Sequence, residues 1–370
     1  MMLSPRPLLS AAANAAHLAR YGHLADLRPM PTVPVGGGAA GEGAAVRRYR
    51  TARGLVPAGP PVLFVPPLAA PARCYDLRRG CSLAEHVVGR GRRSYLLDPG
   101  AAGKGAREQG IREWIGEVLP AAVRAVSRDA GGQPVQLVGW CLGGLFALLA
   151  AADAPRLPIA SIAVIGTPAD ARGVRLTGSG LAPRRPAHGA ESDVLALMFG
   201  GLSRPLLGRA STLAGFDKYV LRPSTLLAHL HNADFLAQIE ALDHFANALL
   251  EYPACAAREI YRLLSRSTEP AGGGMELGDR RIDLGRVRVP VLAIAGRGDA
   301  IAPARAVRPL TRLLSGAPEV RVALAEGDHL GVLTGRSAKA GTWAHLDRWL
   351  DEGTVRHGIR PHRRESAVSV

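Results

Sequence analysis

Cys141 sits between an apolar run, Val135 to Trp140, and a second apolar run that begins at Leu142, with Gly139 and Gly143 two positions to either side. This is the layout of a nucleophile elbow, a short strand turned sharply into a helix, whose central residue is forced into a strained backbone. Serine is the usual residue at its centre. A thiol there becomes a stronger nucleophile once a nearby base ionises it, and its acyl product is a thioester. An acyl group that arrives as a thioester would therefore keep its transfer potential. The competing reading is a small buried hydrophobe, since free cysteine is among the most buried residue types; the flanking glycines and the strand-then-helix pattern favour the elbow.

A cysteine nucleophile needs a base within hydrogen-bond reach, and the base needs a carboxylate to fix its tautomer. Asp299 lies in the loop Gly296 to Pro303, after the apolar run Val289 to Ala295, and His329 lies in Glu326 to Gly331, after Val320 to Leu324. Alone, Asp299 reads as a turn former and His329 as one of 11 histidines. Together with the elbow they form a Cys-His-Asp set, because loops at the carboxyl ends of parallel strands converge on one crevice. The order nucleophile, acid, histidine is the one α/β-hydrolases use. Asp328 competes with Asp299, but adjacent side chains point apart, so it ranks below. An oxyanion hole would combine the backbone N–H of Leu142 with that of Leu68 or Ala69, because Pro66 and Pro67 have none.

These loops need a sheet to carry them. Pro61 to Val65, Ser94 to Leu97, Val135 to Val138, Ile159 to Ile165, Val289 to Ala295 and Val320 to Leu324 are short apolar strand candidates, interleaved with helical patterns at Ser82 to Gly89 and Ile111 to Arg128. The fold class expected is α/β, an α/β-hydrolase fold with a mostly parallel sheet, helices on both faces and a helical cap insertion. Its expected divisions are a helical extension and flexible joint at 1–45, the core at 46–170 and 286–355, the cap at 171–285, and a disordered basic tail at 356–370.

At 370 residues the chain suffices for one such domain with an insertion. Its net charge of +15 raises the question of an acidic partner, but the basic residues are scattered and no aromatic residues interleave with a basic stripe, which argues against nucleic acid. The four cysteines, Cys74, Cys81, Cys141 and Cys255, show neither metal-ligand spacing nor a disulfide framework, so a reducing compartment is expected and no metal. No apolar run has the roughly 20 residues of a membrane span, and the Leu8 to His17 run is too polar for a signal-peptide core. The expected location is the cytoplasm.

The chain resembles the poly(3-hydroxyalkanoate) synthases, α/β-hydrolase-fold enzymes with cysteine in the lipase-box position. The resemblance rests on Val65-Pro-Pro67, Asp76-Leu77 with Ser82, Gly91 through Leu97-Asp98, Gly139 to Gly144, Thr167 to Asp170, Val289 to Val291 with Asp299, and Gly327 to Gly331, all in family order. In the cap, Ala233 to Ala237, Leu242-Asp243, Tyr252-Pro253 and Gly273 through Asp283-Leu284 add to it. It implies that Cys141 carries the acyl chain, that His329 deprotonates it, and that Asp299 helps activate the 3-hydroxyl of an incoming 3-hydroxyacyl-CoA. Coenzyme A thioester is then substrate and no cofactor is bound. A polyester product, a storage-granule surface, and a homodimer or second synthase subunit are the associations it implies. Three departures lie near the presumed pocket: Ala70 replaces an asparagine, Arg73 a tyrosine, and Pro99 a tryptophan. A thioesterase or esterase of the same fold, and a non-catalytic granule-associated homologue, are the alternatives.

Overall fold

The computed structural model describes residues 5–39, 44–51, 54–68, 70–100, 110–169, 227–248, 259–260, 274–277 and 280–356. Eight strands form one sheet: β1 (Thr32–Ala39), β2 (Ala45–Tyr49), β3 (Val62–Val65), β4 (Ser94–Asp98), β5 (Val135–Trp140), β6 (Ile159–Ile165), β9 (Val291–Gly296) and β10 (Val320–Ala325), in the order β1-β2-β4-β3-β5-β6-β9-β10. A separate antiparallel pair is made by β7 (Gly274–Leu277) and β8 (Arg280–Asp283). β1, β2 and β4 pair antiparallel, and every other neighbour in the main sheet is parallel.

The sequence explains this layering. β3, β5, β6 and β9 are buried along their whole length, as unbroken apolar runs must be when helices cover both sheet faces. The helix after the elbow, Leu142–Asp153, has no polar stripe, and every residue from Leu142 to Ala152 is buried, which places it against the sheet centre. The closing helix, Thr342–Arg356, buries Trp343, Leu346, Trp349 and Leu350. Ser82 caps the helix Leu83–Gly89 by accepting the N–H of Glu85. Over the expected helix 111–128, α-helical turns at Ile111–Glu113 and Leu119–Asp129 flank a π-helical stretch, Trp114–Val118. Pro120 follows it and lacks the N–H that an uninterrupted α-helix would donate to Gly116.

Residues 32–39 are an edge strand rather than part of an extension and joint. Thr32 pairs with Tyr49 and Pro34 with Arg47, with an irregularity between Pro34 and Ala39. Glycine and proline weaken strand patterning, but the open backbone edge of β2 supplies a partner, and an edge tolerates proline.

Of the expected cap, most of 171–285 lies outside the described residues, as does the tail from 357. The helix Ala233–Asn247 is described. Asn232 caps it by accepting the N–H of Phe235, and Leu236, Ile239, Leu242 and Phe245 are buried. Its first turn is fastened to the core: Arg78 donates to Asp234 at 2.7 Å and to Gln238 at 2.9 Å, and Arg336 also pairs with Asp234. The two guanidinium groups offset the partial burial of Asp234 and hold its carboxyl below the usual range.

Close approach of strand and helix at the elbow depends on glycine. A Cβ on Gly139 would lie 2.4 Å from the Gly144 Cα, and one on Gly143 would lie 2.1 Å from the Val65 carbonyl oxygen. These obstacles are backbone, which cannot rotate aside. Gly139→Ala is therefore expected to destabilise the fold by about 3 kcal/mol, read as a fall in the urea midpoint; an unchanged midpoint would show that the elbow has slack.

Candidate active site

The strand order places three carboxyl-end loops on one rim. β5 ends at Trp140 and leads directly into Cys141, while β9 and β10 follow β6 as the next two strands and lead into the loops of Asp299 and His329. Cys141 has φ 52° and ψ −124° and is the only non-glycine residue at positive φ among those described. Such a conformation costs on the order of 1–3 kcal/mol and persists only where the surroundings over-determine it. Here its N–H donates to Ile165 O at 2.9 Å, and its carbonyl accepts the Thr167 hydroxyl at 2.8 Å and the Gly144 N–H at 3.2 Å.

His329 and Asp299 meet at 2.8 Å between Nδ1 and Oδ2, both buried. The other carboxylate oxygen of Asp299 accepts the N–H groups of Ile301 at 2.9 Å and Ala302 at 2.7 Å. With Nδ1 directed at the carboxylate, Nε2 is left for another partner, and the Cys141 thiol lies close enough to act on the charge of the imidazole. The structure thus brings Cys141, His329 and Asp299 together, with His329 and Asp299 hydrogen-bonded and the thiol beside the imidazole. Asp328 is turned elsewhere, its Oδ1 accepting the Gly331 N–H at 2.7 Å.

Burial disfavours a charged imidazole, but the charges of Asp299 and Cys141 and the hydrogen bond to Asp299 outweigh it, so His329 is held well above the ordinary histidine value. The other described thiols differ in setting. Burial pushes Cys74 well above the ordinary thiol range and Cys81 above it, which makes both poor nucleophiles. Cys255 lies outside the described residues. No group of three or more His, Cys, Asp or Glu side chains suited to a metal ion occurs among the described residues.

For the oxyanion hole, Leu142 is the first residue of its helix, and Leu68 follows Pro66 and Pro67 at the end of β3. Among the described residues neither amide donates to a backbone carbonyl. The contact of Gly143 with the Val65–Pro66 peptide brings this loop against the elbow. Ala69 lies outside the described residues. Of the three departures, Ala70 is buried in a turn closed by its N–H on Pro67 O, and Pro99 directly follows β4. The Arg73 guanidinium is engaged by the carbonyls of Leu27, at 3.1 Å, and Leu77, which orients it toward the chain after the first helix.

Sequence reasoning gave no individual role to four residues that shape the site, although Trp140 and Thr167 lie in segments that carry the family resemblance. Gly166, at φ 55°, follows β6; a Cβ there would lie 3.2 Å from Asp299 Oδ2 and 3.4 Å from His329 Nδ1, so glycine leaves room for the pair. Thr167 holds the Cys141 carbonyl, while Tyr75 and Trp140 contact the elbow and the histidine loop. A glycine immediately after an apolar strand was the available signal for Gly166; the others have no local signature.

A model of the α/β hydrolase fold matches residues 60–335, and the chain belongs to that family. Its sequence is similar to poly(3-hydroxyalkanoate) polymerase subunits PhaC. With that of Allochromatium vinosum it is 23% identical, over 82% of this chain and 84% of the relative. With that of Haloferax mediterranei it is 20% identical over 79% of this chain, and there it spans only 58% of the relative's length. The fold is also similar to a hydrolase from Pseudomonas aeruginosa PA01, with a TM-score of 0.52 at 15% identity, covering 86% of this chain and 98% of the other.

The raised His329 value ties stability to pH. Its stabilising contribution is fully present below the unfolded value of about 6.5 and is lost as pH rises through the higher folded value. In Asp299→Asn the largest charge favouring the imidazolium is gone, so the fall in urea midpoint above neutral pH is expected to be shallower than in wild type. Parallel profiles for the two proteins would contradict this coupling.

Proposed function

We propose that the protein is an acyltransferase of the poly(3-hydroxyalkanoate) synthase type, which takes 3-hydroxyacyl groups from coenzyme A onto Cys141 and passes them to the hydroxyl of a growing polyester. The observation that carries this reading is a thiol, rather than a hydroxyl, at a strained strand-to-helix turn beside a histidine that is itself fixed by a buried carboxylate. Similarity to PhaC subunits over about four-fifths of the chain supports the choice of substrate.

In the loading step His329 takes the thiol proton, and the Cys141 sulfur attacks the thioester carbonyl. The Leu142 and Leu68 amides stabilise the oxyanion, and the coenzyme A thiolate leaves with the proton returned by His329. Thioester exchanges for thioester, so this step is nearly balanced. In the transfer step His329 accepts the proton of a 3-hydroxyl as that oxygen attacks the Cys141 thioester; an oxygen ester forms, and the thiol is restored by the same proton. Ester formation from a thioester runs downhill, which gives the sequence its direction. Both Asp299 oxygens are engaged, one by His329 and one by two amides, which supports a role for Asp299 through the imidazole rather than directly on the hydroxyl.

The decisive experiment follows coenzyme A release from 3-hydroxybutyryl-CoA and sizes the acyl product. Oligomer or polymer is expected. Cys141→Ala is expected to lower coenzyme A release by about a thousandfold or more, and undiminished turnover would overturn the reading. Free 3-hydroxybutyrate as the sole product would make the protein a thioesterase, and no coenzyme A release with a panel of 3-hydroxyacyl chain lengths would favour a non-catalytic homologue.

A further inference from the structure

Two aromatic side chains connect the three elements that carry the nucleophile, the base and the Leu68 loop. Tyr75, at the end of a short 3-10 turn, Ala72–Tyr75, is fully buried. Its hydroxyl donates to Val65 O at 2.7 Å, the last residue of β3 before Pro66 and Pro67. The same oxygen accepts the Trp140 backbone N–H at 2.8 Å, one residue before Cys141. The β3–β5 ladder ends at the pair Val65 and Gly139, so beyond it a side chain makes the link that the backbones no longer make.

Trp140 extends the connection to the base. Its side chain is buried, its indole N–H donates to the His329 carbonyl at 3.0 Å, and its ring lies against the imidazole with centroids 5.1 Å apart. Toward the cap the same indole meets Phe245 of the helix Ala233–Asn247, with centroids 6.2 Å apart. Asp299 fixes how the imidazole is rotated, but it stands on the β9 loop, and His329 stands on the β10 loop. Neither loop is bonded through the sheet to β5, because β6 intervenes. The indole spans that gap directly, from the residue next to the nucleophile to the backbone of the base.

We propose that Trp140, braced from behind by the Tyr75 hydroxyl, is a positioning residue that sets the distance between the Cys141 thiol and the His329 imidazole. This rests on reading Cys141 and His329 as nucleophile and base. Proton transfer is sensitive to displacements of a fraction of an ångström, and removing a donor from the buried bonds to Val65, Trp140 and His329 leaves a buried polar partner unpaired.

The test compares wild type, Trp140→Phe and Tyr75→Phe by two measurements, steady-state kinetics with 3-hydroxybutyryl-CoA and the pH dependence of Cys141 alkylation by iodoacetamide. Trp140→Phe keeps an aromatic face and removes the donor; Tyr75→Phe keeps the ring and removes the bridge. Each is expected to lower kcat by about tenfold or more with KM within about twofold. In each, the acid limb of the alkylation profile is expected to move to higher pH as the thiol and imidazole separate. Circular dichroism identifies a variant that fails to fold, and the other then provides the reading. Wild-type kcat and a wild-type alkylation profile in the folded variants would overturn the proposal. Alkylation needs no substrate, so it tests the positioning role even if Cys141→Ala shows the acyl-transfer reading to be wrong.

Discussion

The architecture depends on a backbone conformation that Cys141 adopts against its own preference. A side chain at φ 52° is uphill, and the rest of the sheet is arranged so that no relaxed alternative exists: β6 holds the Cys141 amide, Thr167 holds its carbonyl, and glycines at 139 and 143 let the following helix press onto strand and loop. The strain is useful because it lifts the thiol out of the strand at the point where a helix begins, which supplies the Leu142 amide beside it. Had Gly139 or Gly143 carried a side chain, the helix would have to retreat, and the thiol and the amide would part together.

Electrostatics then sets the character of the site. A carboxylate as deeply buried as Asp299 is tolerated because its oxygens are satisfied by two amides and one imidazole. In return its charge makes the imidazolium affordable in a place where burial alone would expel it. Cys74 and Cys81 have the same functional group as Cys141 and equally little water, but no such histidine, and burial leaves their protons firmly in place.

The site is joined to the molecule's periphery through the helix Ala233–Asn247. Arg78 and Arg336 grip its first turn through Asp234, and Phe245, near its end, reaches the Trp140 indole. One end of this helix is therefore held by exposed and half-buried ion pairs, which salt weakens, and the other by aromatic packing, which salt does not.

The core was legible in the sequence wherever one local requirement dominates. Strands β3, β5, β6 and β9 could be read because burial on both faces demands unbroken apolar runs, and the elbow could be read because close approach of helix and strand demands small residues at fixed spacing around Cys141. The order of Cys141, Asp299 and His329 identified candidates, since each follows its own strand. Strand β1 was not legible, because it is recruited by the open edge of β2 and its own glycine-rich stretch reads as a joint. Tyr75 and Trp140 were equally silent: an aromatic residue in an apolar segment carries no mark of the carbonyl it will meet. Sequence by itself thus determined which residues stand at strand ends and what chemistry their side chains permit, because those are properties of short segments. Only the tertiary structure decided which oxygen of Asp299 faces His329, that Asp328 turns away, and that the Trp140 indole, one residue before Cys141, reaches the His329 carbonyl. Those outcomes depend on strand order across the sheet, which joins residues that are far apart in the chain.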